Sequence, residues 1–260
     1  MDELRKEMTW EEYLVYPRKL GWKHEYFDGA LHLSPAWTAV TTFRLSPNEL
    51  LNREVYTCVR RKPVASIRPL QSQDQEALLT LFCECFDKAI EYSGSGPADL
   101  MRYAHRTLDR FFSQPPPPHA NGCRVAVLRG SIVGCSMIAE GEHGVTLQPI
   151  FVAPREQRQG IATLLLVATA KYLADHGIAE LWSQCNLGNE ASMEWHVQCG
   201  FTEIPTHFSA GHRANIYMQE AERQERLQLS TAQATRALAE HWANERDRLD
   251  PWTRPSDKGV

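Results

Sequence analysis

Past residue 63 of this 260-residue chain, apolar positions settle into a regular succession of two spacings; before it they come in short, separate patches. Among those patches, Thr9-Trp10-Glu11-Glu12 has a carboxylate three places after a threonine, the capping-box signal for a short helix. Lys23 to Leu33 alternates around Asp28-Gly29, a two-residue hairpin signal, and Thr38 to Leu45 is β-branched enough for a further strand. Asn48 to Lys62 is polar and ends in Arg60-Arg61-Lys62-Pro63, which reads as a linker. Val64 to Leu70 then predicts a strand, and Ser72 onward a helix reaching about Glu91 on Leu78, Leu81, Phe82, Phe86 and Ile90. Ser93 to Pro97 breaks it, and Ala98 to Phe112 is a second helix. Four prolines at 115–118 force an exposed, irregular loop.

Three strands follow, Cys123 to Leu128, Ser131 to Ala139 and Val145 to Val152, the first two joined by Arg129-Gly130. Ile161 to His176 is a helix stopped by Gly177, and Ile178 to Cys185 a strand. Glu190 to Cys199 is a helix stopped by Gly200, Phe201 to Ile204 a short strand, and Arg213 to Gln219 a last strand. From Glu220 the chain is charged and helical in part, over Thr231 to Arg248.

Charge and cysteine content narrow the classes. Lys and Arg number 28 against 32 Asp and Glu, a net charge of −4, which disfavours a protein that lives on nucleic-acid phosphates. No run of 18 apolar residues is present, and the charged first residues lack an apolar stretch behind them, so a cytoplasmic protein is expected, away from membranes. The seven cysteines contain no Cys-x2-Cys pair, so no metal is expected and buried free thiols are.

The chemistry concentrates in Ile150-Phe151-Val152-Ala153-Pro154-Arg155-Glu156-Gln157-Arg158-Gln159-Gly160-Ile161-Ala162-Thr163. A strand ends, a short loop follows, and a helix begins near a glycine. Free N–H groups and the positive dipole end at such a helix start suit a phosphate, although a tight turn with nothing bound has the same spacing.

Gln157-x-x-Gly160-x-Ala162 resembles the Q/R-x-x-G-x-G/A signature of the GNAT superfamily of acyl-CoA-dependent N-acetyltransferases. Asn189 to Phe201 is similar to the family's downstream N-x-x-A-x-x-x-Y-x-x-x-G-F segment. The resemblance covers roughly residues 64 to 219. It implies an α+β fold, a mixed and mostly antiparallel sheet splayed at the cofactor site and flanked by helices. It further implies that acetyl-CoA lies in the splay. Ile150, Phe151 and Val152 would pair with the pantetheine, and the backbone amides of Arg158, Gln159, Gly160, Ile161, Ala162 and Thr163 would hold the pyrophosphate, with Gln157 of the motif also in the cofactor set. Asn189 would complete the cofactor set. Pro149 cannot donate to a ladder, so its strand is expected to bulge or lie open there.

The chain departs from the pattern at His196, where the family usually has a tyrosine that protonates the departing thiolate. An imidazolium can donate that proton, so His196 is the catalytic candidate; the alternative is that its ring only packs. Glu140, Glu142 and His143 precede the cofactor strand, where some relatives carry a base. The family's acceptor loops correspond to Glu91 to Pro97 and to Thr206 to His212, whose His207 and His212 are too few for a metal site.

The first residues also resemble the start of a family of restriction-endonuclease-like proteins, through Thr9 to Leu14 and His24 to Leu31, without a following metal core. The expected organisation is an extension over 1–62, the acetyltransferase region over 63–219 and a helical tail over 220–260. The expected activity is transfer of an acetyl group from acetyl-CoA to a primary amine of a small molecule or peptide. A non-catalytic acyl-CoA sensor or assembly module is the alternative. The appended ends offer surface for a homodimer.

Overall fold

The structure, a computed structural model, describes residues 4–53 and 65–250. Arg60 to Pro63 and the tail past Asp250 lie outside the described residues. The chain divides into two compact units, Met1–Thr42 with Cys185–Met193 and Ile204–Val260, and Phe43–Gln184 with Glu194–Glu203.

The first unit begins with β1 (Arg5–Glu7) and α1 (Trp10–Leu14), followed by β2 (Trp22–Phe27) and β3 (Ala30–Pro35). Thr9 caps α1: the Glu12 N–H donates to its hydroxyl and its own N–H donates to the Glu12 carboxylate, as the capping-box pattern predicts. Asp28 and Gly29 both have positive φ (50° and 67°), the geometry of a type I′ turn, and β3 pairs antiparallel with both β2 and β1. The unit's last residues form α7 (His207–Arg226) and α8 (Ala232–Leu249), which pack on one another.

The expected strand over Arg213 to Gln219 is therefore replaced by helix. Thr206 caps α7 by accepting from the Ser209 N–H, and buried Ala210, Arg213, Ala214, Ile216 and Ala221 make a stripe of helical rather than alternating period.

A seven-stranded sheet has the order β10-β4-β9-β8-β7-β6-β5. Its members are β4 (Val40–Leu45), β5 (Ser66–Pro69), β6 (Arg124–Leu128), β7 (Ser131–Gly141), β8 (Gly144–Val152), β9 (Leu181–Asn186) and β10 (Thr202–Ile204). β5 to β8 pair antiparallel and β8 pairs parallel with β9, a mixed and mostly antiparallel sheet. The place between β9 and β10 is filled by β4, from the expected N-terminal extension.

In the second unit α2 (Pro47–Leu51) packs on α5 (Ile161–Asp175), and α3 (Gln75–Phe86) packs on α4 (Pro97–Leu108). α3 ends at Phe86 rather than near Glu91, and a single 3-10 turn takes Ile90–Tyr92. Both α3 and α5 lie against β7. That explains why Val133 to Ala139 is buried without interruption where a one-sided strand would alternate. On one face Ser136 bonds Thr169 of α5 (Oγ to Oγ1, 2.9 Å). On the other, Phe82 of α3 meets Phe151, which pairs with Cys135.

Asp74 opens α3 and is 2% exposed. Arg68 Nη1 and Nη2 donate to its two oxygens at 2.8 and 2.7 Å, and the Gln71 N–H adds a third bond at 2.8 Å. Burial pushes the carboxyl up, and those bonds with the arginine charge outweigh it, so its pKa lies below the usual carboxylate value.

Six described cysteines are free, and Cys123, Cys135, Cys185 and Cys199 are buried, as expected. Burial pushes the Cys85 thiol up to about 12. No described helix is long and apolar enough to cross a membrane.

Candidate functional site

The second unit opens its sheet at one place. β8 and β9 pair at Thr146–Trp182 and Leu147–Ser183, and no pairing between them follows among the described residues. On the other edge of β8, Ile150 pairs with Ser136 and Leu147 with Ile138, so Gln148 and Pro149 together stand opposite Met137. Two residues against one is a β-bulge, the irregularity that Pro149 demands. Past the bulge, Ile150, Phe151 and Val152 pair with β7 and with no strand on the β9 side among the described residues.

Gly144–Val152 hands over to α5 through a short 3-10 turn, Pro154–Glu156. Gln157 is an anchor: its Nε2 donates to the Val152 carbonyl at 3.1 Å, tying the loop to the strand it leaves. Arg158 and Gly160 both have positive φ, 58° and 80°. A Cβ on Gly160 would meet nothing within 4 Å, so the glycine leaves open space rather than filling a crevice. Leu164 makes the first bond of α5 back to Gly160 (2.9 Å), so the N–H groups of Ile161, Ala162 and Thr163 precede any intrahelical partner. Ile161 is buried, Ala162 and Thr163 half-buried, and Gln159 ties to Glu156 at 3.0 Å. Open space, consecutive free donors and the positive end of a 15-residue helix fit a pyrophosphate.

His196 lies on α6 (Glu190–Cys199) and is 2% exposed. Its ring stacks on Phe43 (centroids 4.4 Å apart, planes at 20°), with Phe201 and Trp195 edge-on at 4.9 and 5.0 Å. Its Nε2 shares a 2.8 Å hydrogen bond with Ser183 Oγ. Ser183 stands on β9 opposite Leu147, the last pair before the strands part. Neither Ser183 nor Phe43 carries a motif; a small polar residue between Leu181 and Cys185 on the buried face of a strand is the faint signal that sequence reading passed over.

The remaining candidates scatter. Asn189 falls in the first unit, where its Oδ1 accepts from the Ser192 N–H at 3.1 Å and caps α6. Glu140 pairs with His119 Nε2 (3.0 Å), and His143 lies 4.9 Å from the Trp182 ring. Tyr92, in the loop expected to meet the acceptor, belongs to an aromatic group with Phe82, Phe86, Tyr103 and, through Phe82 and Phe86, Phe151 of β8. Thr206 to His212 is the start of α7 in the first unit. There the Gly21 N–H donates to His212 Nε2 at 3.0 Å. No group of three metal-ligating side chains occurs among the described residues.

Comparison with solved structures gives low similarity over about half the chain. A conserved protein of unknown function from Staphylococcus epidermidis is 12% identical over 64% of this chain and 57% of its own, with a TM-score of 0.48. This chain thus spans little more than half of that neighbour. PaiA N-acetyltransferase from Thermoplasma acidophilum, in complex with coenzyme A, is 16% identical over 53% of this chain and 89% of its own (TM-score 0.44). The ribosomal-protein-S18-alanine N-acetyltransferase from Escherichia coli is 21% identical over 54% and 79% (TM-score 0.40). The comparison with curated proteins finds no match. The family model described as Acetyltransferase (GNAT) family matches residues 76–201, which span the bulged strand, the glycine loop and α6. Residues 76–201 of this chain are thus similar to the GNAT acetyltransferase domain.

Proposed function

We propose that the protein is an N-acetyltransferase that moves an acetyl group from acetyl-CoA directly to a primary amine of a small molecule or peptide. The observation that carries this reading is the loop from Gln157 to Thr163, with its glycine opening onto empty space at a helix start. Acetyl-CoA would supply an activated thioester. The N–H groups from Arg158 to Thr163 would hold its pyrophosphate, and the free edge of Ile150 to Val152 would align its pantetheine. Backbone N–H groups at that edge also polarise a thioester carbonyl.

His196 then serves as the proton store. Its ring is enclosed, so a proton leaves it through the Nε2 to Ser183 Oγ contact at the point of splay. As the thiolate departs, Ser183 gives it the hydroxyl proton and takes one in turn from the protonated His196 Nε2, which is left neutral.

One observation favours a second reading, an acyl-CoA binder without turnover: both members of the His196–Ser183 pair are at most 3% exposed. Titration of the purified protein with acetyl-CoA, followed by an amine screen with thiol detection, separates the two. Micromolar binding with thiol release supports the enzyme, and binding without release across amine classes supports the sensor. No binding of acetyl-CoA or CoA ends both.

A further inference from the structure

Arg53 follows α2, and its N–H donates to the Leu50 carbonyl at 3.1 Å. Its guanidinium lies directly on Gly200: a Cβ there would fall on Nη1, with Cζ and Nε next in line. Gly200 has φ +90°, so the position holds a glycine for its backbone as well as for this approach.

The neighbours of Gly200 lead back to the cofactor loop. Cys199 Sγ is 3.9 Å from Thr163 Oγ1, in the first turn of α5. Burial raises the Cys199 thiol to about 11, and the Thr163 hydrogen bond and, more weakly, the Arg53 charge act against that rise. α2 itself packs on α5. Arg53 is exposed, and among the described residues no carboxylate forms an ion pair with it.

The electrostatics of this placement are half satisfied. The carbonyl end of α6 attracts a cation, which accounts for where the guanidinium rests, whereas the N-terminus of α5 repels one. An anion held at the α5 terminus removes that repulsion and gives the guanidinium a partner.

We propose that Arg53 is an anchor for a phosphate group of the bound CoA thioester, delivered to the loop by a segment that precedes the family domain. This rests on the acyl-CoA reading above. It assigns part of the cofactor's recognition to a residue outside the 76–201 match. A CoA carries a pyrophosphate and a separate 3′-phosphomonoester, and dephospho-CoA lacks only the latter.

The test is calorimetry of the full chain and of Arg53→Gln with CoA and with dephospho-CoA, at low and high NaCl. Losing one charge-assisted contact should weaken CoA about tenfold and flatten its salt dependence. The ligand-free melting temperature should stay within ~2 °C, and Arg53→Lys should recover part of the affinity. If dephospho-CoA loses as much, the contact is to the pyrophosphate; if only CoA does, it is to the 3′-phosphate. Unchanged affinity in Arg53→Gln, or a loss with unaltered salt dependence, overturns the proposal while leaving the acyl-CoA site standing. Failure of the unmodified protein to bind CoA overturns both.

Discussion

His196 and Ser183 are joined, Nε2 to Oγ at 2.8 Å, with Ser183 at the last described pair before β8 and β9 part. Phe43 holds the imidazole flat, so the hydrogen bond has one geometry. His196→Phe preserves the stacking and removes the proton. Ser183→Ala preserves the ring and removes the outlet. Each should lower kcat about 10²-fold with acetyl-CoA affinity nearly unchanged. Ser183→Ala should also cost about 1–3 kcal/mol of stability by leaving a buried nitrogen without its partner. Ser183→Thr should restore part of the rate. Stopped-flow thiol release decides it, and a wild-type rate in His196→Phe removes this histidine from the chemistry.

Gly160 separates binding from folding. Because a Cβ would meet no protein atom, Gly160→Gln should fold with a loss of only about 1–2 kcal/mol, the cost of a side chain in the left-handed region. Its side chain would occupy the space assigned to the pyrophosphate, so acetyl-CoA binding should disappear. Urea denaturation alongside calorimetry checks both halves. A cooperative fold with undiminished affinity would contradict the phosphate assignment.

Two histidines in the first unit set an acid limit. Burial holds His24 at about 4, helped by the charge of Arg18 and, more weakly, by His212 and Lys19. Burial also holds His212 at about 4, with Arg213 adding repulsion, and its Nε2 already accepts from Gly21. Their unfolded pKa is near 6.5, so between pH 6.5 and 4 the unfolded chain binds more protons than the folded one. Stability contributed by the neutral rings is complete above about pH 6.5 and is lost as pH falls toward 4. Each proton costs at most about 1.4 kcal/mol per pH unit, and partial exposure makes the real slope shallower. Chemical denaturation at a series of pH values should show this limb, and it should flatten in the His24→Gln, His212→Gln double variant.

Asp74 is the polar keystone at the start of α3. Asp74→Asn keeps the shape but discards the charge that faces the Arg68 fork. Arg68 remains about one-third exposed and can rehydrate, so the loss should be about 1–3 kcal/mol rather than the larger figure for a fully buried pair. A thermal melt at neutral pH measures it; an unchanged Tm would mean that the bidentate pair contributes nothing net.

The glycine loop and the strand irregularity were legible in sequence because their requirements are local. Gly160 sits at a left-handed helix start, and Pro149 at a point where no ladder bond can be made. Both demands act within a few residues, and the structure meets them at the expected positions. The surroundings of His196 were not legible, since Ser183 and Phe43 meet it through strand order, which no single window of sequence carries. The strand expected at Arg213 to Gln219 failed for a related reason. Its short apolar spacing suits either period, and the Thr206 cap with the long packing partner α8 decides for helix.

The place taken by β4 bears on how this molecule is made. Val40–Leu45 leaves the ribosome long before β9 and β10, yet the sheet puts it between them. It must therefore wait, unpaired, until some 140 further residues have been synthesised. A protein cut at the boundaries of the family match would lose β4, β5 and β10 and leave β9 and β6 each with an open edge, the feature that drives strands of different molecules to join. In this chain the sheet around the matched region is completed by a strand that precedes it.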